Sequence, residues 1–259
     1  MPTALFLSPH LDDVAFSCGG LLAQLGDAGW HTAMVTAFTG TVLPATGFAL
    51  ACQTDKGLGP HVDYMALRRE EDRAAATILG VSDLRWLDLP EAPHRGYRSA
   101  PELFGAILGD DDVWQPLAAR IAALIDELRP DLVLAPQGLG NHVDHRQMIR
   151  AVLQAAPRQL AFYRDTPYAI RNPDAVPYVT ESGVRECAVG IADGLDRRIA
   201  ASCSYASQIG FQFGGSAPLA AALREFAVRE GQGSPAERFL ALPGAAMDLL
   251  SGSHRAATL

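Results

Sequence analysis

Short, continuously apolar runs alternate with helix-forming segments along most of the chain. The apolar runs, rich in β-branched and aromatic residues, predict strands over residues 3–7, 31–38, 84–89, 131–135 and 159–163. The segments between them predict helices over residues 18–28, 65–79, 113–128 and 146–155, with Gly80 and Pro130 as stop signals. Strands that are apolar throughout are buried on both faces. The alternation therefore predicts an α/β, Rossmann-like fold with a mostly parallel sheet and helices on both of its faces.

The pattern changes after residue 163. Turns that contain Tyr and Pro are followed by a predicted strand over residues 184–191 and predicted helices over residues 193–207 and 217–229. We interpret these as carboxyl-terminal strand and helix elaborations of a single domain over residues 1–259, because no low-complexity linker or internal repeat divides the chain. Residues 251–259 are interpreted as a frayed tail. Residues 41–64 and 90–112 predict long loops, which in compact domains are usually functional.

A cluster of ionisable residues follows the first predicted strand. Pro9 leads into His10, Asp12 and Asp13. In an open α/β sheet, ligands bind at the carboxyl ends of the strands, and imidazole and carboxylate groups hold zinc and similar divalent ions. One interpretation is therefore a metal-binding turn. The other is a solvated turn in which Asp12 or Asp13 caps the following helix.

A second ionisable cluster follows the strand predicted over residues 131–135. It contains His142, Asp144 and His145. With His10 and Asp13 from the first cluster, His145 completes a set of two histidines and one carboxylate, which leaves a coordination position open for water, as in catalytic zinc sites. The two clusters can meet only if their strands are neighbours in one sheet. The sequence therefore predicts adjacent strands and a site for Zn²⁺, or another divalent metal, at their carboxyl ends.

Composition and charge narrow the function. The net charge of -8 argues against a nucleic-acid or anionic-membrane partner, since both require a basic surface. No apolar run reaches the length of a membrane span, and the amino terminus lacks the basic region of a secretory signal, so a cytoplasmic protein is expected. The four cysteines are scattered without a Cys-x-x-Cys pair, which disfavours a disulfide framework and a cysteine zinc site.

The two clusters in combination resemble the LmbE-like family of zinc-dependent de-N-acetylases, which includes the N-acetylglucosaminyl-phosphatidylinositol (PIG-L) de-N-acetylases and the deacetylase of mycothiol synthesis. The shared motifs are Pro-His-x-Asp-Asp over residues 9–13 and His-x-Asp-His over residues 142–145. The segment RREEDRAAATILG, residues 68–80, is similar to the family's Arg-x-x-Glu helix. Leu11 and Val14 stand where the family motif has a proline and an acidic residue. Neither position binds metal in the family, but Val14 removes a polar partner for the metal ligands.

The resemblance implies His10, Asp13 and His145 as zinc ligands and Asp12 as the general base toward the attacking water. Adjacent side chains in an extended turn point in different directions, which is consistent with separate roles for the two aspartates. His142 is implied to face the oxyanion of the tetrahedral intermediate. The alternative for His142 is a loop histidine without a catalytic role.

The resemblance also implies roles for three residues outside this set. Asp144 is implied to orient or charge a nearby imidazole, and its alternative role is to cap the helix that follows. Arg68 and Asp88 are implied to contact the substrate. Their alternatives are a solvated helix charge for Arg68 and a turn-forming aspartate for Asp88.

The expected function is hydrolysis of an N-acyl group, expected to be N-acetyl, from a small-molecule amino-sugar conjugate of the N-acetylglucosamine type. One alternative is a zinc amidase that acts on a non-sugar or thiol-conjugate amide. A further alternative is a non-catalytic metal-binding or nucleotide-binding Rossmann-like protein. Nucleotide binding is disfavoured, because the first turn lacks Gly-x-Gly-x-x-Gly and places acidic residues where a pyrophosphate would bind.

Overall fold

The computed structural model describes residues 1–245 and residue 247, and its centre is a seven-stranded sheet. The strands are β1 Thr3–Ser8, β2 His31–Thr36, β3 Asp83–Trp86, β4 Leu132–Pro136, β5 Leu160–Tyr163, β6 Arg185–Gly190 and β7 Ala236–Ala241. Their order is β3-β2-β1-β4-β5-β7-β6. The first five strands are parallel, and β7 pairs antiparallel with both β5 and β6. The predicted α/β fold with a mostly parallel sheet is therefore confirmed.

Helices cover both faces of this sheet. They are α1 Asp13–Asp27, α2 Gly47–Thr54, α3 Tyr64–Leu79, α4 Ala100–Leu103, α5 Trp114–Leu128, α6 Val143–Ala155, α7 Tyr168–Arg171, α8 Leu195–Ser202, α9 Ala206–Phe213 and α10 Ser216–Glu230. Alternate residues of β1 point to opposite faces. Ala4 and Phe6 pack with α1, α3, α8 and α10, whereas Leu5 and Leu7 pack with α5 and α6. All four side chains are completely buried, which explains why the strand is apolar throughout.

Strand β1 lies directly beside β4. Ala4 is in register with Leu132, and Phe6 is in register with Leu134. Because the two strands are parallel, the segments that follow them emerge at the same edge of the sheet. The predicted adjacency of the two strands is confirmed, and it brings both ionisable clusters to one place.

Helix α1 begins before its predicted start at residue 18 and is kinked at Cys18, whose φ is -140° and ψ is 24°. The kink leaves backbone groups free, and two buried side chains from distant segments bind them. Arg198 Nε donates to the Phe16 carbonyl at 3.1 Å, and a Glu237 carboxylate oxygen accepts from Gly20 N at 2.9 Å. Tertiary contacts therefore stabilise a break within the helix.

Other predicted boundaries also need correction. The segment 41–64 is not a loop throughout, because it contains α2. The single helix predicted over residues 193–207 is two helices, α8 and α9. Strand β7 was not predicted, since its sequence AERFLA has no clear apolar alternation and the strand forms only by pairing with two distant strands. Helix α6 begins at Val143 and not at residue 146, which places Asp144 and His145 in its first turn.

No helix in the described part of the chain is both long and apolar enough to cross a membrane. The tail predicted over residues 251–259 lies outside the described residues. The single domain predicted over residues 1–259 stays a prediction.

Candidate active site

A pocket at the carboxyl ends of β1 and β4 collects the ionisable side chains of both clusters. His10, Asp12 and Asp13 line it from the turn after β1 and the start of α1, and His142 and Asp144 line it from the start of α6. A larger cavity of about 970 Å³, against about 150 Å³ here, lies where α5 and α6 end, and no histidine lines it. The smaller pocket, at the carboxyl ends of β1 and β4, is therefore the candidate active site, because it contains the ionisable side chains.

Three imidazoles and a carboxylate converge beside this pocket. Nitrogen atoms of His10, His142 and His145 lie within 4.8 Å of one another. Asp13 Oδ2 lies 3.3 Å from His10 Nδ1 and 3.4 Å from His145 Nε2. His145 Nε2 is buried and has no hydrogen-bond partner in the described part of the chain. A buried nitrogen that faces a carboxylate and a second imidazole without such a partner fits a metal ligand.

Asp165 fixes the orientation of His145. Its Oδ1 lies 2.5 Å from His145 Nδ1, and both side chains are fully buried. Its Oδ2 accepts a hydrogen bond from Leu139 N at 3.2 Å. In a neutral His145 the proton therefore lies on Nδ1, which leaves the lone pair of Nε2 directed toward Asp13. No sequence motif predicted a role for Asp165. The available signal was a carboxylate just after β5, the strand next to β4.

Asp144 connects the two clusters. Its Oδ2 lies 2.9 Å from His10 Nε2, and its Oδ1 accepts from Arg95 Nη2 at 2.7 Å. Arg95, which sequence analysis also missed, forms a second ion pair with Asp111 at 3.0 Å. Burial opposes ionisation of Asp144, but the positive charges of Arg95 and His10 hold its pKa well below the usual range. Asp144 thus contacts an imidazole, as the family resemblance implies.

His142 stands at the N-cap of α6 as a neutral imidazole. Burial and the neighbouring positive charge of His10 lower its pKa to about 3. Its Nδ1 accepts a hydrogen bond from Asp144 N at 3.2 Å. The ring proton therefore lies on Nε2, which makes that atom a hydrogen-bond donor beside the pocket.

Adjacent aspartates have opposite protonation behaviour. Burial raises the pKa of Asp12 to about 7, although Arg68 opposes the shift from 3.6 Å away. Burial also disfavours the charged form of Asp13, but His145 and His10 outweigh it and lower the pKa of Asp13 to about 2. Asp13 is therefore a permanent anion suited to a metal ligand, while Asp12 can exchange a proton near neutral pH.

The structure brings Arg68 into the pocket but leaves Asp88 outside it. Arg68 is 4% exposed, and its Nη1 donates to Glu91 Oε1 at 2.6 Å. Asp88 does not line the pocket, and its side chain is 74% exposed. The acidic residue that reaches the pocket is Glu91, for which no sequence motif predicted a role.

Comparisons with known proteins agree with this geometry. The family model described as "PIG-L: GlcNAc-PI de-N-acetylase" matches residues 5–156. The chain is 34% identical over 215 residues to the 2'-N-acetylparomamine deacetylase of Streptomyces fradiae, which covers 79% of this chain and 72% of that protein. It is 30% identical over 165 residues to the 1D-myo-inositol 2-acetamido-2-deoxy-alpha-D-glucopyranoside deacetylase of Kineococcus radiotolerans, covering 58% of this chain and 44% of that protein.

A solved structure extends the similarity to nearly the whole chain. The zinc-inhibited form of teicoplanin deacetylase superposes with a TM-score of 0.78 at 27% identity, over 92% of this chain and 97% of that one. All three of these relatives are deacetylases. The family model spans more than half of the chain and includes both ionisable clusters. This chain therefore belongs to the PIG-L family of de-N-acetylases, as the resemblance of its two motifs indicates.

Proposed function

We propose that the protein is a metal-dependent hydrolase that removes an N-acetyl group from a small-molecule amino-sugar conjugate. The observation that carries this proposal is the convergence of His10 Nδ1, Asp13 Oδ2 and His145 Nε2 beside a pocket that also contains Asp12. The deacetylase activities named for the relatives support the same reaction class.

His10, Asp13 and His145 are the proposed metal ligands, and zinc is the proposed metal. Two imidazole nitrogens and one carboxylate oxygen suit zinc and leave a position for a small ligand. A bound zinc ion supplies Lewis-acid chemistry: it lowers the pKa of water to ~7 and polarises a carbonyl group. Asp165 and Asp144 hold the two imidazoles through their other ring nitrogens, at 2.5 and 2.9 Å. Carboxylate partners of this kind are a common support for metal-binding histidines.

Asp12 is the proposed general base. In its ionised form it accepts a proton from the attacking water, and the protonated carboxyl then donates that proton to the nitrogen of the leaving amine. Burial raises the pKa of Asp12 above its usual range, which favours a carboxyl group that can hold the proton between the two steps. Arg68 lies 3.6 Å from the Asp12 carboxylate and holds it at the pocket wall.

His142 is the proposed oxyanion donor. Nε2 carries the ring proton and can donate to the amide oxygen as negative charge develops on it. His142 also stands at the amino terminus of α6, where the helix dipole provides a partial positive charge that would stabilise a nearby oxyanion. Asp144 is proposed to act through His10 rather than to contact the substrate, because its carboxylate is fully buried between His10 and Arg95.

Arg68 and Glu91 are the proposed contacts for the sugar hydroxyl groups. Their side chains form a short ion pair in the pocket, so a hydroxyl group can bind to either of them. Glu91 takes the place that the family resemblance assigned to Asp88. We also propose that the substrate is a small molecule and that the protein has no nucleic-acid or membrane partner. The proposed location is the cytoplasm.

Acetate release from defined substrates tests the proposal. Zinc-loaded protein is expected to release acetate from 2'-N-acetylparomamine or from methyl N-acetylglucosaminide, and more slowly from a simple N-alkylacetamide. Preferential hydrolysis of an N-acetylated thiol conjugate without a sugar would favour a different amidase. No acetate release from any of these amides by metal-loaded protein would contradict the proposed reaction.

The adjacent aspartates provide the matched variants. Asp12→Asn is expected to retain zinc and to lower kcat by about 10²-fold or more, as for the loss of a positioned base. Asp13→Asn is expected to lose zinc, as measured by elemental analysis after dialysis. The opposite result for the two variants would exchange their roles.

A further inference from the structure

Lys56 is the only lysine in the chain, and it stands at the mouth of the candidate active site. It follows α2, within the segment that the sequence analysis interpreted as a loop. Its side chain lines the pocket together with Tyr64 and Phe211. The other charged residues of the pocket belong to the turn after β1, to α3, to α6 or to the Glu91 segment, so Lys56 contributes a charge from a separate part of the fold.

Neighbouring side chains hold the Lys56 ammonium group in place. Its Nζ donates to the Cys52 carbonyl at 2.8 Å. It also lies 5.3 Å from the centroid of the Tyr64 ring and 5.6 Å from that of Phe211, within the range of cation–π attraction. The Tyr64 hydroxyl in turn accepts from Gln208 Nε2 at 2.8 Å. A cation that is held in this way loses little conformational freedom when it binds a ligand.

Lys56 forms no ion pair in the part of the chain that the structure describes. No carboxylate oxygen in the described residues lies within 4.0 Å of its Nζ. By contrast, Arg68 pairs with Glu91 at 2.6 Å, and Asp144 pairs with Arg95 at 2.7 Å. An ammonium group has three N–H donors, and the Cys52 carbonyl uses one. Two donors and a full charge therefore remain for a ligand.

Phe211 adds an apolar surface beside this charge. Its side chain belongs to α9, and the residue is 67% exposed although it is aromatic. An exposed aromatic ring at a pocket mouth stacks against the apolar face of a sugar or another ring. Lys56 and Phe211 together offer a charge and an apolar ring at the same side of the pocket.

We propose that Lys56 and Phe211 form a subsite for the part of the substrate beyond the acetylated sugar, and that Lys56 selects conjugates with a phosphate or carboxylate next to that sugar. This inference rests on the proposed deacetylase function. It implies a preference among conjugates: one with free amines, such as 2'-N-acetylparomamine, would place positive charge near Lys56 and bind less well. Selection by charge repulsion as well as attraction is a general route to specificity.

Three substrates that share the acetylated amino sugar test the charge preference. They are N-acetylglucosamine 1-phosphate, methyl N-acetylglucosaminide and 2'-N-acetylparomamine, which are anionic, neutral and cationic outside the acetamide. Zinc-loaded wild-type protein is expected to show the highest kcat/KM for the phosphate and the lowest for the paromamine. Lys56→Ala is expected to raise KM for the phosphate about tenfold and to narrow the differences among the three. Lys56→Arg is expected to retain most of the preference, because it retains the charge.

Two results would overturn the inference while leaving the proposed function intact. One is acetate release by the wild type without preference for the phosphate, and the other is an equal effect of Lys56→Ala on all three substrates. If no substrate releases acetate, the proposed function fails, and calorimetric binding of glucosamine 1-phosphate and methyl glucosaminide still tests Lys56. Weakening of phosphate binding alone by Lys56→Ala would support the subsite, and unchanged phosphate binding would refute it.

The single lysine permits an independent measurement. An amine-acylating reagent can modify only Lys56 and the terminal amino group, and mass spectrometry separates the two. Glucosamine 1-phosphate is expected to slow acylation of Lys56 but not of the amino terminus, and methyl glucosaminide is expected to protect less. Equal protection by both sugars would contradict a role for the charge.

Discussion

The bond between His145 and Asp165 gives the sharpest test of the metal site. Asp165 uses both carboxylate oxygens: Oδ1 faces His145 Nδ1 at 2.5 Å, and Oδ2 accepts from Leu139 N at 3.2 Å. Asp165→Asn keeps the size of the side chain but replaces one acceptor with an NH₂ donor. If the amide oxygen keeps the bond to Leu139 N, the NH₂ group faces His145 Nδ1 and favours the tautomer that is protonated at Nε2.

That tautomer cannot bind a metal through Nε2, so metal binding by the variant must first break a hydrogen bond inside the protein. A buried neutral hydrogen bond is worth about 1 kcal/mol, and one to a charged group about 1.5–3 kcal/mol. We therefore expect Asp165→Asn to weaken zinc binding about 10- to 100-fold, which corresponds to roughly 1.4–2.7 kcal/mol and is the usual range for such partners of metal ligands.

Competition with a chromophoric zinc chelator measures this affinity in dialysed protein. Asp88→Asn is the matched control, because the same substitution falls on a carboxylate that is 74% exposed and outside the pocket, so it should leave the affinity unchanged. Thermal unfolding of both metal-free variants shows whether the fold survives. If a folded Asp165→Asn protein binds zinc as tightly as wild type, one of two assignments is wrong. Either His145 is not a ligand, or Asp165 does not set its tautomer.

Two further predictions concern the scaffold. A Cβ at Gly20, beside the kink of α1, would lie 2.8 Å from Ile191 Cδ1, so Gly20→Ala should lower the free energy of unfolding by about 1–3 kcal/mol. Gly210 lies in α9, and a Cβ there would have no neighbouring heavy atom within 4 Å among the described residues. Gly210→Ala should therefore raise the free energy of unfolding by about 0.5–1 kcal/mol. Denaturant titration measures both, and equal effects would contradict the packing argument. Burial raises the pKa of Asp72 from 3.8 to about 6, although its hydrogen bond from the Tyr205 hydroxyl opposes the shift. The folded state therefore binds the Asp72 proton more tightly than the unfolded state does. The stability that this proton contributes is complete below pH 3.8 and is lost as the pH rises through about 6. The stability of Asp72→Asn relative to wild type should accordingly rise by about 2 kcal/mol between pH 4 and pH 7 in metal-free protein, and a difference independent of pH would exclude this proton linkage.

The class of fold and the meeting of the two ionisable clusters could be predicted from the amino-acid sequence. Apolar strands alternate with amphipathic helices, and that periodicity is local, so it can be recognised without knowing the partners of any element. Parallel strands carry their carboxyl ends to one edge, so the motifs around His10 and His145 could be expected together once β1 and β4 were taken as neighbours. The motifs also identified the family, which the matched residues 5–156 bear out.

The side chains that complete the site could be identified only from tertiary contacts. Asp165 and Arg95 reach the histidine cluster from segments with no motif, and their importance depends on contacts such as the 2.5 Å approach to His145. Glu91 lines the pocket, whereas the Asp88 side chain is 74% exposed and lies outside it. Likewise, β7 and the kink of α1 exist through pairing and hydrogen bonds with distant residues. Local periodicity does not encode such contacts, because their free energy arises only when the chain has brought segments far apart in sequence into one buried environment.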